Sequence, residues 1–114
     1  MAVIGAQFSK RVQSLLADPD SELLLSSASI LEIALKHAHR KIDMPEALVH
    51  QAVQDLGLTT IAFEPPHAYR LFSLPMHHRD PFDRMIIATA LVEDVPLIGG
   101  GSQFESYKGL RVVW

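Results

Sequence analysis

The run His77-His78-Arg79-Asp80-Pro81-Phe82-Asp83-Arg84-Met85-Ile86-Ile87-Ala88-Thr89-Ala90 constrains the fold more than any other stretch. A polar lead-in stops at a proline and becomes almost wholly apolar. Proline suits the first helical position, where an N–H would have no partner anyway. Asp80, directly before it, is a good N-cap. Asp83 then falls in the first turn, beside the positive end of the helix dipole. Met85, Ile86, Ile87, Ala88, Ala90 and Leu91 leave little polar surface, and a helix apolar nearly all round is a buried one. A carboxylate-bearing helix start is therefore expected on an element that the core holds still.

The flanking chain alternates strands and helices. Phe8, Val12, Leu15 and Leu16 have helical spacing over residues 8–18, with Ser9 a candidate cap and Asp18-Pro19-Asp20 the stop. Leu23–Leu25 reads as a short strand whose unbroken apolar character implies a sheet covered on both faces. Ser29 opens the next helix with Glu32 three residues on, the spacing of a capping box. Lys36, His37, His39, Arg40 and Lys41 crowd its C-terminal end, where cations are favoured. Pro45 starts a helix to about Leu56 with Gly57 as its stop. Thr59–Phe63 reads as a strand, Pro65-Pro66 as the start of a helix through Phe72, and Val95–Ile98 as a strand leaving into Gly99-Gly100-Gly101. Leu110–Trp114 is the last strand. This alternation predicts an α/β fold, a parallel sheet with helices on both faces.

The 114 residues fit a single domain, 1–114, large enough to bury a real core. A net charge of −3 does not advertise nucleic-acid binding, although a local basic patch can coexist with it. There are no cysteines, so no disulfide and no thiolate metal site. The N-terminus is too short for a signal-peptide core, and no apolar run nears the ~20 residues that span a bilayer. The expectation is a cytoplasmic protein with no membrane partner.

In sheets of this kind, sites form at the carboxyl ends of the strands. Glu32 lies just past one strand end, Asp83 at a helix start, and Gly99–Gly101 directly after another strand. If they converge, the crevice holds two carboxylates beside a glycine loop, and carboxylates with open positions suit Mg²⁺ or Mn²⁺. Spacing alone favours a plainer reading: Ser29 with Glu32, and Asp80 with Asp83, simply close two helix ends. His77-His78 as loop residues, and Lys36, Arg40, Lys41, Arg79 and Arg84 as solvated charges, are likewise the plain alternatives to metal and RNA contacts. The glycine run is not a phosphate loop, since no Lys-Ser/Thr pair follows.

Ser26-Ser27-Ala28-Ser29-Ile30-Leu31-Glu32-Ile33-Ala34-Leu35-Lys36 and His78-Arg79-Asp80-Pro81-Phe82-Asp83-Arg84-Met85-Ile86-Ile87-Ala88 resemble the two internal signatures of PIN domains, specifically the VapC-like branch of bacterial toxin–antitoxin systems. The likeness runs from about Phe8 to Trp114. It implies a three-layer α/β/α fold and a Mg²⁺-dependent endoribonuclease whose crevice carries about four acids. Glu32 matches the second acid and Asp83 the third, as catalytic and metal-ligating residues. Asp80 is an accessory aspartate of this branch. Arg79, Arg84 and Lys36 are candidate RNA contacts, and an antitoxin is the implied partner.

Two departures stand out. The family opens with an aspartate-bearing central strand, which this chain lacks, so it reads as shortened at the N-terminus or as a misassigned start. The last acid should fall at Gly101, a degenerate position. Two carboxylates in place of four imply weak Mg²⁺ or Mn²⁺ binding and impaired nuclease activity; the alternative is a catalytically inactive binding or dimerisation module. The vacant central strand would leave unpaired backbone groups, to be covered by Ala2–Ala6, by a second copy or by a partner, and a homodimer is expected.

Overall fold

The computed structural model describes residues 10–99 and 102–113. In chain order the elements are α1 (Lys10–Ala17), β1 (Leu24–Ser26), α2 (Ser27–Ala38), α3 (Glu46–Asp55), β2 (Thr59–Ile61), α4 (Pro65–Arg70), a 3-10 turn (Leu71–Ser73), α5 (Pro81–Glu93), β3 (Leu97–Ile98), a second 3-10 turn (Ser102–Ser106) and β4 (Val112–Val113). The readings that fell on Ala2–Ala6, Phe8, Ser9, Gly100, Gly101 and Trp114 lie outside the described residues.

The centre is α5. Asp80 Oδ1 accepts the N–H groups of Phe82 and Asp83 at 2.9 and 3.1 Å, and Pro81 takes the first helical position. The helix ends where Asp94 turns into the left-handed region at φ 54°. Ile86, Ile87, Ala88, Thr89 and Ala90 are all buried along it. Thr89 fits that apolar wall because its hydroxyl donates to the Met85 carbonyl at 2.7 Å, the back-bond that a helical threonine can make to the preceding turn. Ile86, Ile87 and Ala90 form one core with Leu74, Leu97, Phe104 and Tyr107. A second, smaller core joins Leu23, Leu25, Leu58 and Ile98.

The strands are parallel, arranged as two pairs. β1 runs beside β2 with Leu24, Leu25 and Ser26 opposite Thr59, Thr60 and Ile61. β3 runs beside β4 with Leu97 opposite Val112 and Ile98 opposite Val113. Among the described residues no ladder joins the pairs. The fold class is the α/β arrangement expected from the alternating pattern, with helices packed over parallel strands.

Several boundaries differ from the sequence reading. Helix α2 starts at Ser27, not Ser29: Ser26 ends β1 and caps the helix, its Oγ accepting from the Ala28 N–H at 3.1 Å. Ser27 Oγ instead accepts from the Phe63 N–H at 2.8 Å, tying the end of β2 to the helix start. Of the three nearby serines, only strand pairing decides which one caps. The helix expected through Phe72 tightens into a 3-10 turn after Arg70. At its start, His67 Nδ1 accepts from the Glu64 N–H at 2.8 Å. That leaves Nε2 as the ring donor, and it lies 2.7 Å from Glu93 Oε1 on α5. His67, 3% exposed, thereby fastens α4 to α5. His37 closes another loop, its Nδ1 accepting from the Met44 N–H at 3.1 Å.

Candidate active site

Strand β1 passes into α2 without a connecting loop, and α2 packs against α5. That crossing sets the geometry of the acids. Glu32 is the sixth residue of α2, so the capping-box reading fails for it: the third helical residue is Ser29. The Glu32 carboxylate instead meets Lys36 Nζ at 2.8 Å, one turn on, and is 16% exposed. Asp83 is the third residue of α5 and half-buried; Asp80, its cap, is exposed.

The crossing brings these groups into one electrostatic neighbourhood. Burial pushes the Asp83 carboxyl above the ordinary carboxylate range, and the charges of Asp80 and Glu32 push it further; His78 and Lys36 pull against them. Lys36 is held protonated above its ordinary range, first by its hydrogen bond to Glu32 and then by the charges of Glu32, Asp80 and Asp83, against some desolvation.

The basic candidates divide. Arg84 turns inward: Nη1 donates to the carbonyl of Pro75 at 2.8 Å and more weakly to that of His78 at 3.4 Å, and Nη2 to that of Leu74 at 3.2 Å. Its guanidinium clasps the loop ahead of α5. Lys36 is engaged by Glu32. Arg79 is exposed, with no partner among the described residues.

Two residues gain importance that spacing did not convey. His78 stacks on Tyr107 with ring centroids 5.5 Å apart, and its Nδ1 lies 2.9 Å from the Tyr107 hydroxyl. Its position beside Asp83 depends on the second 3-10 turn, which supplies Phe104 and precedes Tyr107. Ser29 is 3% exposed and its Oγ has no hydrogen-bond partner among the described residues. At i and i+3 it shares a helix face with Glu32.

A hard divalent cation wants a shell of oxygen ligands. Among the described residues no group of three or more His, Asp or Glu is placed to hold one. Glu32 and Asp83 offer two carboxylates, Lys36 competes for the first, and Asp80 Oδ1 is occupied by two backbone donors. The donor set falls short of a complete metal site. Gly101, the degenerate acidic position, lies outside the described residues.

The fold and site define an α/β protein with carboxylates gathered where a helix following a parallel strand crosses a buried helix. The PIN domain family model matches residues 2–110, and the chain belongs to that family. Among solved structures, the chain is similar to that of VapBC2 from Rickettsia felis bound to a DNA fragment from their promoter: TM-score 0.65, 17% identity, covering 90% of this chain and 80% of that chain. At that identity the likeness concerns the fold. No curated protein matches.

Proposed function

We propose that this chain is a VapC-like PIN protein of a toxin–antitoxin system, built on an endoribonuclease site whose cleavage activity is impaired. The observation that carries this reading is the packing of α2 on α5, which sets Glu32 and Asp83 in one electrostatic neighbourhood on a PIN domain. Asp80 alone caps α5, and Asp83 sits half-buried beside the charges of Asp80 and Glu32. Carboxylates perturbed in this way mark functional sites. Impairment follows from the donor count: a bound Mg²⁺ or Mn²⁺ would supply charge neutralisation at a phosphodiester, and Glu32 and Asp83 are too few to hold it firmly. Exposed Arg79 is a basic side chain free to meet an RNA phosphate.

The test is Mn²⁺ titration by calorimetry, together with cleavage of a labelled RNA in Mg²⁺, for the unmodified chain, Glu32→Gln and Asp83→Asn. Weak Mn²⁺ binding that either substitution weakens further, with little cleavage, supports the proposal. Brisk Mg²⁺-dependent cleavage lost in both variants overturns the impairment. Mn²⁺ binding indifferent to both overturns the site.

A second reading, an inactive module that binds an antitoxin or a second copy, draws on two surfaces. One is an apolar cavity of about 570 Å³ between α2 and α3, lined in part by Ile30, Ile33, Val49 and Val53. The other carries Tyr69, Met76 and Phe72, the last 90% exposed. Light scattering separates these outcomes: a homodimer that Phe72→Asp splits places the second copy on the latter surface.

A further inference from the structure

The chain from Pro65 to Arg79 is an acid-free run in an acidic protein. Its fifteen residues include Arg70, Arg79 and three histidines but no aspartate or glutamate, whereas the whole chain carries a net charge of −3. The fold lays this run along α5 and clamps it twice. At one clamp His67 Nε2 lies 2.7 Å from Glu93 Oε1. At the other Arg84 donates to the carbonyls of Pro75 at 2.8 Å and Leu74 at 3.2 Å. Arg84 and Glu93 are nine residues apart on one helix, so the clamps stand about 14 Å apart at the ordinary helical rise. The run therefore travels antiparallel to α5, toward Asp80 and Asp83 at the start of that helix. Between the clamps Leu71 packs inward on the core. Tyr69 and Phe72 instead stand 71% and 90% exposed, and Met76 follows at 70%. Tyr69 and Phe72 are three residues apart through α4 and the 3-10 turn, a spacing that sets them on one face. A fixed backbone thus presents large apolar side chains to water, and exposed clusters of that kind mark interaction surfaces.

We propose that this strip is a docking surface for single-stranded RNA, whose bases stack on Phe72 and Tyr69 and whose phosphates meet Arg79 and Arg70. The choice of RNA rests on the nuclease reading above; the strip itself rests on exposure and charge. Charge selects an anionic occupant. Arg79 is exposed and has no partner among the described residues. Arg70 Nη1 donates to Ser73 Oγ at 2.8 Å, which fixes its guanidinium against the 3-10 turn that carries Phe72. A second copy related by a twofold axis would turn these arginines toward their own equivalents, and like charges across an interface are costly. Exposed rings beside cations are an ordinary means of holding a single strand, because every base has a face to stack and every nucleotide a phosphate. Bases paired in a duplex offer no free face, so duplex RNA is the poorer ligand. The length also fits: about 14 Å between the clamps takes about four stacked nucleotides at roughly 3.4 Å each. A strand held along this strip runs toward the start of α5, where Asp83 stands.

The probe is a short fluorescein-labelled oligoadenylate, with a duplex of equal length as comparator, read by anisotropy in EDTA so that neither metal nor cleavage enters. The single strand should bind more tightly than the duplex. Phe72→Ala and Tyr69→Ala should each weaken it about 5-fold or more without changing the salt slope, and Phe72→Trp should keep it. Arg79→Ala should lower the salt slope by about 0.7. Both rings project into water, so the fold does not depend on them, and circular dichroism checks this. No measurable binding, equal affinity for the duplex, or an affinity indifferent to both ring substitutions overturns the proposal. So does a homodimer that Phe72→Asp splits and that RNA fails to compete apart, which gives the surface to a second copy. The Mn²⁺ titration keeps the two readings distinguishable. Ring-dependent RNA binding, with Mn²⁺ indifferent to Glu32→Gln and Asp83→Asn, upholds the strip and sinks the nuclease reading. Mn²⁺ binding that needs those acids, with RNA affinity that ignores the rings, sinks the strip alone.

Discussion

Asp80 and Asp83 stand three residues apart at one helix end, yet substitutions at the two should move stability in opposite directions. Asp80→Ala removes the acceptor of two N–H bonds, at 2.9 and 3.1 Å, and leaves both donors at a helix end. Loss of such a cap costs about 1–2 kcal/mol. Asp83→Asn keeps shape and polarity and removes a charge that burial, Asp80 and Glu32 all disfavour. Each like-charge contact at this range is worth roughly 0.2–0.5 kcal/mol, and relief from desolvation adds to it. The lost attraction to the helix dipole, roughly 0.3–1 kcal/mol, offsets part of the gain. The net expectation is between no change and a gain of about 1 kcal/mol, leaving the two variants separated by about 1–3 kcal/mol. Urea unfolding followed by far-ultraviolet circular dichroism reads this as a shift in midpoint with unchanged slope. The pH dependence checks the cause. A raised folded-state pKa means that Asp83 penalises folding most once it is ionised in both states. The penalty shrinks as pH falls through its folded value and vanishes below the unfolded value of about 3.9. The advantage of Asp83→Asn should therefore be largest near neutrality and fade on acidification. An Asp83→Asn chain as unstable as Asp80→Ala, or an advantage that grows toward acid, would refute the reasoning.

Arg84→Met should cost about 1.5–3 kcal/mol by the same unfolding measurement, because the carbonyls of Leu74 and Pro75 lose a charged donor. Arg79→Ala should leave stability within about 0.5 kcal/mol, yet lower the salt sensitivity of any RNA binding measured by anisotropy. His67→Leu strands the Glu64 N–H and the Glu93 carboxylate and should cost about 2–4 kcal/mol by urea unfolding. A loss below about 0.5 kcal/mol would show that the α4–α5 fastening is dispensable. Ser29→Ala should raise stability by about 0.5–2 kcal/mol, since alanine is the better helix former and no buried hydroxyl is left unpaired. A loss would mean that the hydroxyl has a partner.

The parts of the fold that local chemistry determines are readable in the chain. The Asp80-Pro81 start of α5, its apolar length and the stop of α3 before Gly57 all depend on neighbours in sequence. Gly57 takes φ 61°, where a side chain would be strained. The second 3-10 turn leaves no such trace, because Ser102–Ser106 has no periodicity and is held by Phe104 and Tyr107 packing into the core of α5. Arg84 could not be told from a solvated arginine, because its carbonyl partners belong to a loop whose path only the folded chain defines.

Glu32 shows why spacing alone could not separate a helix cap from a functional acid. Ser29 and Glu32 have a capping-box interval, and so do Asp80 and Asp83; at the second site the first member is indeed the cap. The difference lies in where the preceding strand ends. β1 continues through Ser26 because β2 offers Ile61 as its partner there, and that pairing spans 35 residues of chain. It moves the start of α2 two residues upstream, releases Glu32 from the helix end, buries Ser29 and turns one helix face toward α5. Glu32 and Asp83 share an electrostatic neighbourhood only because a non-local strand pairing sets the phase of the helix that carries one of them, and no local motif encodes that phase.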